Sequence, residues 1–192
     1  MVGEKLELNF FERDVESVAR ALIGTTLLFD DVGGSIVEVE AYHPSDPAAH
    51  TYRGPTPRNA VMFGPPAHAY VYRSYGLHWC LNFVCGGGAG ILIRALEPRF
   101  GLEIMGQRRG ALKPLLLCSG PGRLTQALAI DGSFNGTPLN RYPFQLYKGP
   151  DDLAIVACPR IGISVAKETP WRFCLAGSKF LSRPATDSIC TP

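Results

Sequence analysis

Residues Ile36 to Asn82 read IVEVEAYHPSDPAAHTYRGPTPRNAVMFGPPAHAYVYRSYGLHWCLN. The opening run alternates as a strand does. Glu38, Glu40 and Tyr42 fall on one face, and Val37, Val39 and Ala41 on the other. The apolar face requires a core, which leaves the carboxylates and the phenol side by side on a partly enclosed surface. Ala69-Tyr70-Val71-Tyr72 repeats the alternation and sets Tyr70 and Tyr72 on one face. Tyr75-Gly76 marks a turn, and Leu77 to Asn82 returns from it. Aromatic rings, imidazoles, acids and proline-stiffened loops are the parts of a pocket for a flat ring.

Toward the N-terminus, Thr25 to Phe29 reads as a strand. Asp30 to Gly34 reads as a turn, and Ser35 to Tyr42 as the hairpin partner. Before them, Asp14 is an N-cap for a helix in which Val15, Val18, Ala19, Leu22 and Ile23 recur at helical spacing and Gly24 is the stop. Between the two halves of the central stretch, His43 to Pro66 has no period and is broken by Pro44, Pro47, Pro55, Pro57 and Pro65. A loop this long in a compact domain is usually functional or disordered. Val61, Met62 and Phe63 argue that this one is packed down and functional.

Toward the C-terminus, Gly86 to Gly90 resembles a phosphate cradle, but no Lys-Ser/Thr follows it. A hairpin turn between Leu81–Cys85 and Ile91–Ala95 is the better reading. Arg94 stands in the apolar run Ile91 to Leu96, so it either pairs with a buried acid or lines a site. Arg99 to Gln107 suits a short helix, and Arg108-Arg109 a solvated basic surface. Cys118-Ser119-Gly120-Pro121-Gly122-Arg123 leads into the helical pattern Leu124 to Ile130. Amides there can hold a phosphate with help from Arg123, or Ser119 is only a cap. Gly132 to Asp152 reads as loop. Leu153–Cys158, Ile161–Ala166 and Arg172–Leu175 read as strands. The ends, residues 1–9 and 184–192, read as loose.

The 192 residues suffice for one well-buried core and not for two full domains. A hydrophobic fraction of 46% with 19% charged residues is that of a globular protein, and 21 glycines with 16 prolines imply many turns and few long helices. The net charge of +2 does not by itself demand a nucleic-acid partner, but suits one if the basic groups share a face. No apolar run reaches membrane-spanning length. Met1 to Asn9, with Glu4, Lys5 and Glu7, lacks the core of a signal peptide, so no membrane association and a cytoplasmic location are expected. The six cysteines form no C-x-x-C pair. Cys80, Cys85, Cys118, Cys158 and Cys174 sit in apolar surroundings, which points to a reducing compartment without disulfides.

Glu38 and Glu40, two apart on one strand, have Cα atoms roughly 6.5–7 Å apart. Neighbours on one strand do not easily flank a glycosidic bond from opposite sides, as the paired acids of a sugar hydrolase do. One working acid, Glu40, with Glu38 structural or on the surface, is simpler. His43, His50, His68 and His78 match no common metal-ligand spacing, and no G-x-S-x-G elbow is present. No lysine occurs between Lys5 and Lys113, so a Schiff-base amine would have to come from elsewhere. For a bond to a sugar carbon, a carboxylate activating water is the available route. Two other readings stay open. One is a nucleic-acid binding module without catalysis, which needs no buried acid; the other is a carbohydrate hydrolase, which needs a second acid across the cleft.

The strings VEVEAY, AAH, TPRN, MF, YVY, YG, C-L-N, LIRALEP, LCSGP and QALAI occur in this order. Together they resemble the alkyladenine (3-methyladenine) DNA glycosylase family of the human type, from about Phe10 to Leu181. The resemblance implies an α+β fold: one compact domain with a curved antiparallel sheet, flanking helices and a protruding hairpin that inserts into DNA. It implies a monomeric enzyme that flips a damaged purine from double-stranded DNA and hydrolyses its N-glycosidic bond without metal or cofactor. Glu40 matches the acid that activates water, and Arg94 the arginine that helps hold that water. Tyr42 would stack on one face of the base, and His50 and Tyr72 on the other. Asn82 would disfavour guanine's exocyclic amine, and the Ile161 backbone would lie near the water. Tyr75 would be the wedge that fills the vacated stack. Arg58, Arg73, Ser119 and Arg123 would meet DNA phosphates. Arg73-Ser74 and His78 depart from the family pattern on the hairpin itself.

Overall fold

The expected N-terminal hairpin forms with a tighter turn than the sequence suggested. In the computed structural model, which describes residues 3–110 and 113–185, β1 (Thr26–Phe29) and β2 (Val32–Tyr42) are joined by Asp30 and Asp31 alone. Both residues have positive φ, 52° and 61°, a conformation that short-chain acids tolerate and that matches the strand twist. Gly33 and Gly34 therefore belong to the strand and not to the turn. Ahead of the hairpin, α1 (Val15–Leu22) starts where Asp14 accepts the Ser17 N–H at 3.0 Å. It buries Val15, Val18, Ala19 and Leu22, and the chain leaves it at Gly24 with φ 87°.

The remaining strands are β3 (Ala69–Ser74), β4 (His78–Gly86), β5 (Ala89–Phe100), β6 (Phe144–Tyr147), β7 (Ile155–Cys158) and β8 (Arg172–Leu175). They form one antiparallel sheet in the order β3-β4-β5-β2-β1-β6, with β8 also paired to β2 and β7 to β8. Gly87-Gly88 turns β4 into β5, as expected of the glycine cluster. The sheet is curled, and α1, α2 (Leu102–Arg109) and α3 (Pro121–Leu128) flank it. Val18, Leu22, Ile36, Ile93 and Leu124 belong to the main core, while Met62, Tyr70 and Val84 make a small second core beneath the long loop.

Several expectations give way to tertiary structure. Residues 161–166 are a bent loop and not a strand. The buried Arg160 guanidinium donates to the carbonyls of Ala41 (3.0 Å) and Ala166 (3.4 Å) and pairs with Asp46, which curls the segment around it. β6 lies in a region read as loop, because β1 on one side supplies a pairing edge no local pattern reveals. β5 continues through Arg99, so the helix begins at Leu102. Arg108 and Arg109 are not merely solvated: Arg108 donates to Ala127 O at 3.1 Å and Arg109 to Gln126, joining α2 to α3. Part of the N-terminal stretch expected to be loose is tied along β6, where Leu6 N donates to Leu146 O at 3.0 Å. Of the C-terminal stretch, Pro184 O accepts from Arg172 at 3.1 Å, and residues 186–192 lie outside the described part. The five described cysteines are free and buried, and burial pushes Cys85, Cys118 and Cys174 up to about 12. Among the described residues no helix is long and apolar enough to cross a membrane.

Candidate active site

Strand β2 is covered on both faces, so its alternation does not separate core from surface: Glu38 and Glu40 are both 0% exposed. Two irregularities in its pairing with β5 supply the counter-charge. The register passes from Ile36↔Leu96 to Glu38↔Ala95, and then to Val39↔Ile93. Val37 is thus extra on β2 and Arg94 extra on β5. A bulge re-aims the side chain it carries, and Arg94 is re-aimed onto the two acids. Its Nε donates to Glu38 at 2.9 Å, and its Nη1 lies 3.3 Å from Glu40. Both alternatives read for Arg94 hold, since it is paired with buried acid and also lines the pocket. Burial opposes its charge, but Glu40 and then Glu38 outweigh that and raise its proton affinity.

Glu40 is held on every side. Its Oε1 accepts the Ile161 N–H at 2.7 Å and faces Arg94, and its Oε2 accepts the Tyr42 hydroxyl at 2.8 Å. Burial first, and then the Glu40 charge, push the Tyr42 phenol up, so it stays a donor. Tyr42, Arg94 and Ile161 line a pocket of about 750 Å³. Glu40 itself stands directly behind them, one layer from the pocket space. The other acid, expected to be structural or exposed, is structural: Glu38 accepts from Arg94, from Arg172 Nη1 (3.1 Å) and from both N and Oγ of Ser182 (2.6 and 2.7 Å).

The aromatic side of the pocket comes from β3 and the long loop. Tyr72 lies 4.5 Å from the His50 ring at 69°, and Tyr70 stacks on Tyr72 at 5.5 Å. His50 Nδ1 shares a hydrogen bond of 3.1 Å with the Tyr70 hydroxyl. Its partial enclosure, and then Arg58, lower its proton affinity, so the imidazole is neutral near pH 7. Tyr70 is 2% exposed and a core residue first. The loop is ordered because Asn59, 3% exposed, ties it to itself. Its Nδ2 donates to His50 O (2.9 Å) and Gly54 O (3.1 Å), and its Oδ1 accepts from Thr56 N (2.6 Å). Asn82, the cross-strand partner of Tyr70, also lines the pocket, 7% exposed, with Nδ2 on Tyr70 O at 3.1 Å.

The β3–β4 hairpin runs beyond the pocket. Ser74 pairs with His78, and the tip between them carries Tyr75 (87% exposed) and Leu77 (78% exposed), with Tyr75 also on the pocket rim. The exposure of Leu77 was not anticipated, because an apolar residue after a glycine turn reads as the start of a core strand. The hairpin base is braced. A Cβ on Gly122 would stand 2.7 Å from the His78 ring, and one on Gly132 would stand 2.8 Å from Trp79, so both glycines permit close approach. Arg58 donates to Arg73 O at 3.3 Å, and the Arg73 guanidinium lies 5.8 Å from the Trp79 ring. Ser119 is no cap. Its Oγ accepts from Arg123 at 3.0 Å, and the helix start at Gly120 has no side-chain cap. Arg58, Arg73 and Arg123 are exposed on the rim and beside it.

A buried acid paired with a buried arginine thus stands behind an aromatic-lined pocket whose rim carries an exposed hairpin tip. The model of the methylpurine-DNA glycosylase family matches residues 9–179. The chain belongs to this family, whose members are DNA repair glycosylases. Its relatives include a protein of Nitrosospira multiformis, 60% identical over 91% of this chain and 92% of its own length. Another, from Nitrobacter winogradskyi, is 57% identical over 96% of this chain and 90% of its own. A third, from Agrobacterium fabrum, is 56% identical over 91% of each. All three carry the provisional name 3-methyladenine DNA glycosylase. Sequence reasoning missed two residues that support this candidate site. Arg160 lies over the Tyr42 ring at 4.7 Å, outside the pocket, and Ser182 closes the back of the acid pair. Arg160 falls between two runs read as strands, and Ser182 near a run read as tail. Neither carried a local signal. Among the described residues no group of three or more His, Cys, Asp or Glu is placed to hold a metal.

Proposed function

We propose that the protein removes alkylated or deaminated purines of the 3-methyladenine, hypoxanthine and ethenoadenine type from duplex DNA, as a monomer, by hydrolysis of the N-glycosidic bond. The observation that carries this reading is Glu40: a fully buried carboxylate, bonded to Arg94, Tyr42 and Ile161, each of which faces the pocket. The flipped base enters the slot between Tyr42 and the His50–Tyr72 pair, where flat rings gain most from aromatic faces. A water at the edge of the Arg94–Glu40 contact bonds its oxygen to C1′ and passes a proton to Glu40. The C1′–N bond breaks with its electron pair leaving on the base, and an abasic site remains. Asn82 narrows the wall where guanine would carry its amino group, and Tyr75 occupies the vacated stack. Arg58, Arg73, Ser119 and Arg123 take phosphates.

A binding module without catalysis requires no buried acid, and the full burial of Glu40 against Arg94 speaks for an enzyme. The carbohydrate hydrolase requires a second acid across the cleft, and among the described residues the pocket lining contains no Asp or Glu. The deciding experiment is excision from duplexes bearing a single 3-methyladenine, hypoxanthine or ethenoadenine. Release of the free base with an alkali-labile abasic site is expected, without strand cleavage and without a borohydride-trapped adduct. Absence of base release from all three duplexes refutes the proposal.

A further inference from the structure

Glu38 is a buried charge that the hydrolysis itself does not use. It collects four donors: Arg94 Nε (2.9 Å), Arg172 Nη1 (3.1 Å), Ser182 Oγ (2.7 Å) and Ser182 N (2.6 Å). Arg94 Nη2 in turn donates to Ser182 Oγ at 3.2 Å. Arg172 also reaches the carbonyls of Arg183 (3.3 Å) and Pro184 (3.1 Å), so the segment from Ser182 to Pro184 straps the cluster from behind. A buried carboxylate is tolerated only when its charge is paired and its lone pairs are bonded. Here two arginines are present, and one of them is divided between Glu38 and Glu40. The shorter contact of Arg94 is to Glu38 at 2.9 Å; the one to Glu40 is 3.3 Å.

We infer that Glu38, held by Arg172 and the Ser182 strap, is a positioning residue that anchors Arg94 and so keeps Glu40 available as a base. This rests on the glycosylase reading above. Anchored through Nε, Arg94 presents Nη1 at the edge of Glu40 without closing over it, which leaves room for the attacking water. The groups that face Glu40 from the packed elements are Glu38 and Tyr42 on β2, Tyr72 on β3, Cys80 on β4, Arg94 on β5 and Arg172 on β8. Arg160 lies behind Tyr42. Near neutral pH burial keeps Tyr42, Tyr72 and Cys80 uncharged. The charge balance at Glu40 is therefore set by Glu38 against the arginines.

Glu38→Gln removes the charge that holds Arg94 through Nε, and it releases Arg94 to close over Glu40. Single-turnover excision of hypoxanthine or ethenoadenine from duplex should then fall roughly 10-fold or more at its plateau. Glu38→Asp keeps the charge and should recover most of that rate. Affinity for the lesion duplex should change little in either variant. A folded Glu38→Gln protein with the wild-type plateau rate, or a folded Glu38→Asp protein as slow as Glu38→Gln, overturns the inference. If Glu38→Gln does not fold, Ser182→Ala carries the test. It removes one hydroxyl from the half-buried strap, and a several-fold fall in plateau rate at unchanged affinity is expected, whereas wild-type excision overturns the inference. Wild-type excision by Glu40→Gln, measured alongside, would instead remove Glu40 as the base on which the inference rests.

Discussion

Glu40 and Tyr75 stand at opposite extremes of the same pocket. Glu40 is 0% exposed, and its two oxygens meet Ile161, Arg94 and Tyr42. Tyr75 is 87% exposed, sits at φ 49° on a hairpin tip, and has only Leu77 as a similarly exposed neighbour there. The acid is fixed by what surrounds it; the ring is fixed only by its backbone. On the proposed function, the difference divides the labour. Proton transfer needs a group held in position in a dry site, whereas extrusion needs apolar surface that has no partner until DNA arrives.

The sharpest way to break this comparison is at Glu40. Glu40→Gln keeps the shape, puts an amide donor in place of one acceptor oxygen and loses the base, so excision should fall by about 10²–10⁴-fold while binding to lesion-bearing duplex persists. Near-normal excision would remove Glu40 from the chemistry. Folding stability gives the next contrast. Tyr70, 2% exposed in the second core, should cost about 3–5 kcal/mol as Tyr70→Ala, whereas Tyr75→Ser should stay within about 0.5 kcal/mol in denaturant titration. Equal losses at the two sites would mean that the tip is packed.

At the tip itself, Tyr75→Ser should lower excision of a well-paired lesion roughly 10–100-fold, since nothing then offsets an unstacking cost of a few kcal/mol. The loss should shrink for a mismatched lesion, where extrusion costs less. Fluorescence of ethenoadenine reports the flipped population, and undiminished extrusion would exclude the wedge. Asn82→Ser should raise removal of guanine-type bases relative to adenine-type ones, measured as a ratio in competition; an unchanged ratio would take Asn82 out of the specificity wall. Smallest of all, His50 should titrate below the ordinary histidine range by NMR. Arg58→Gln should raise its midpoint only slightly, because enclosure outweighs Arg58 in lowering it. A large rise would reverse that order.

Sequence alone determined the parts with a local cause. The α1 helix followed from its spacing and Asp14, the Gly87-Gly88 turn from its glycines, the shared face of Glu38, Glu40 and Tyr42 from strand alternation, and the exposed Tyr75 from the glycine after it. The order of short motifs identified the family, because nearly the whole chain carries them. Tertiary structure decided the rest, and in each case a distant group was the cause. The curling of residues 161–166 required Arg160 to meet Ala41, Asp46 and Ala166, and β6 required the edge of β1. The burial of Glu38 required Arg172 and Ser182, which arrive 134 and 144 residues later. Alternation says which side chains share a face, but whether that face meets water depends on what the remainder of the chain lays over it.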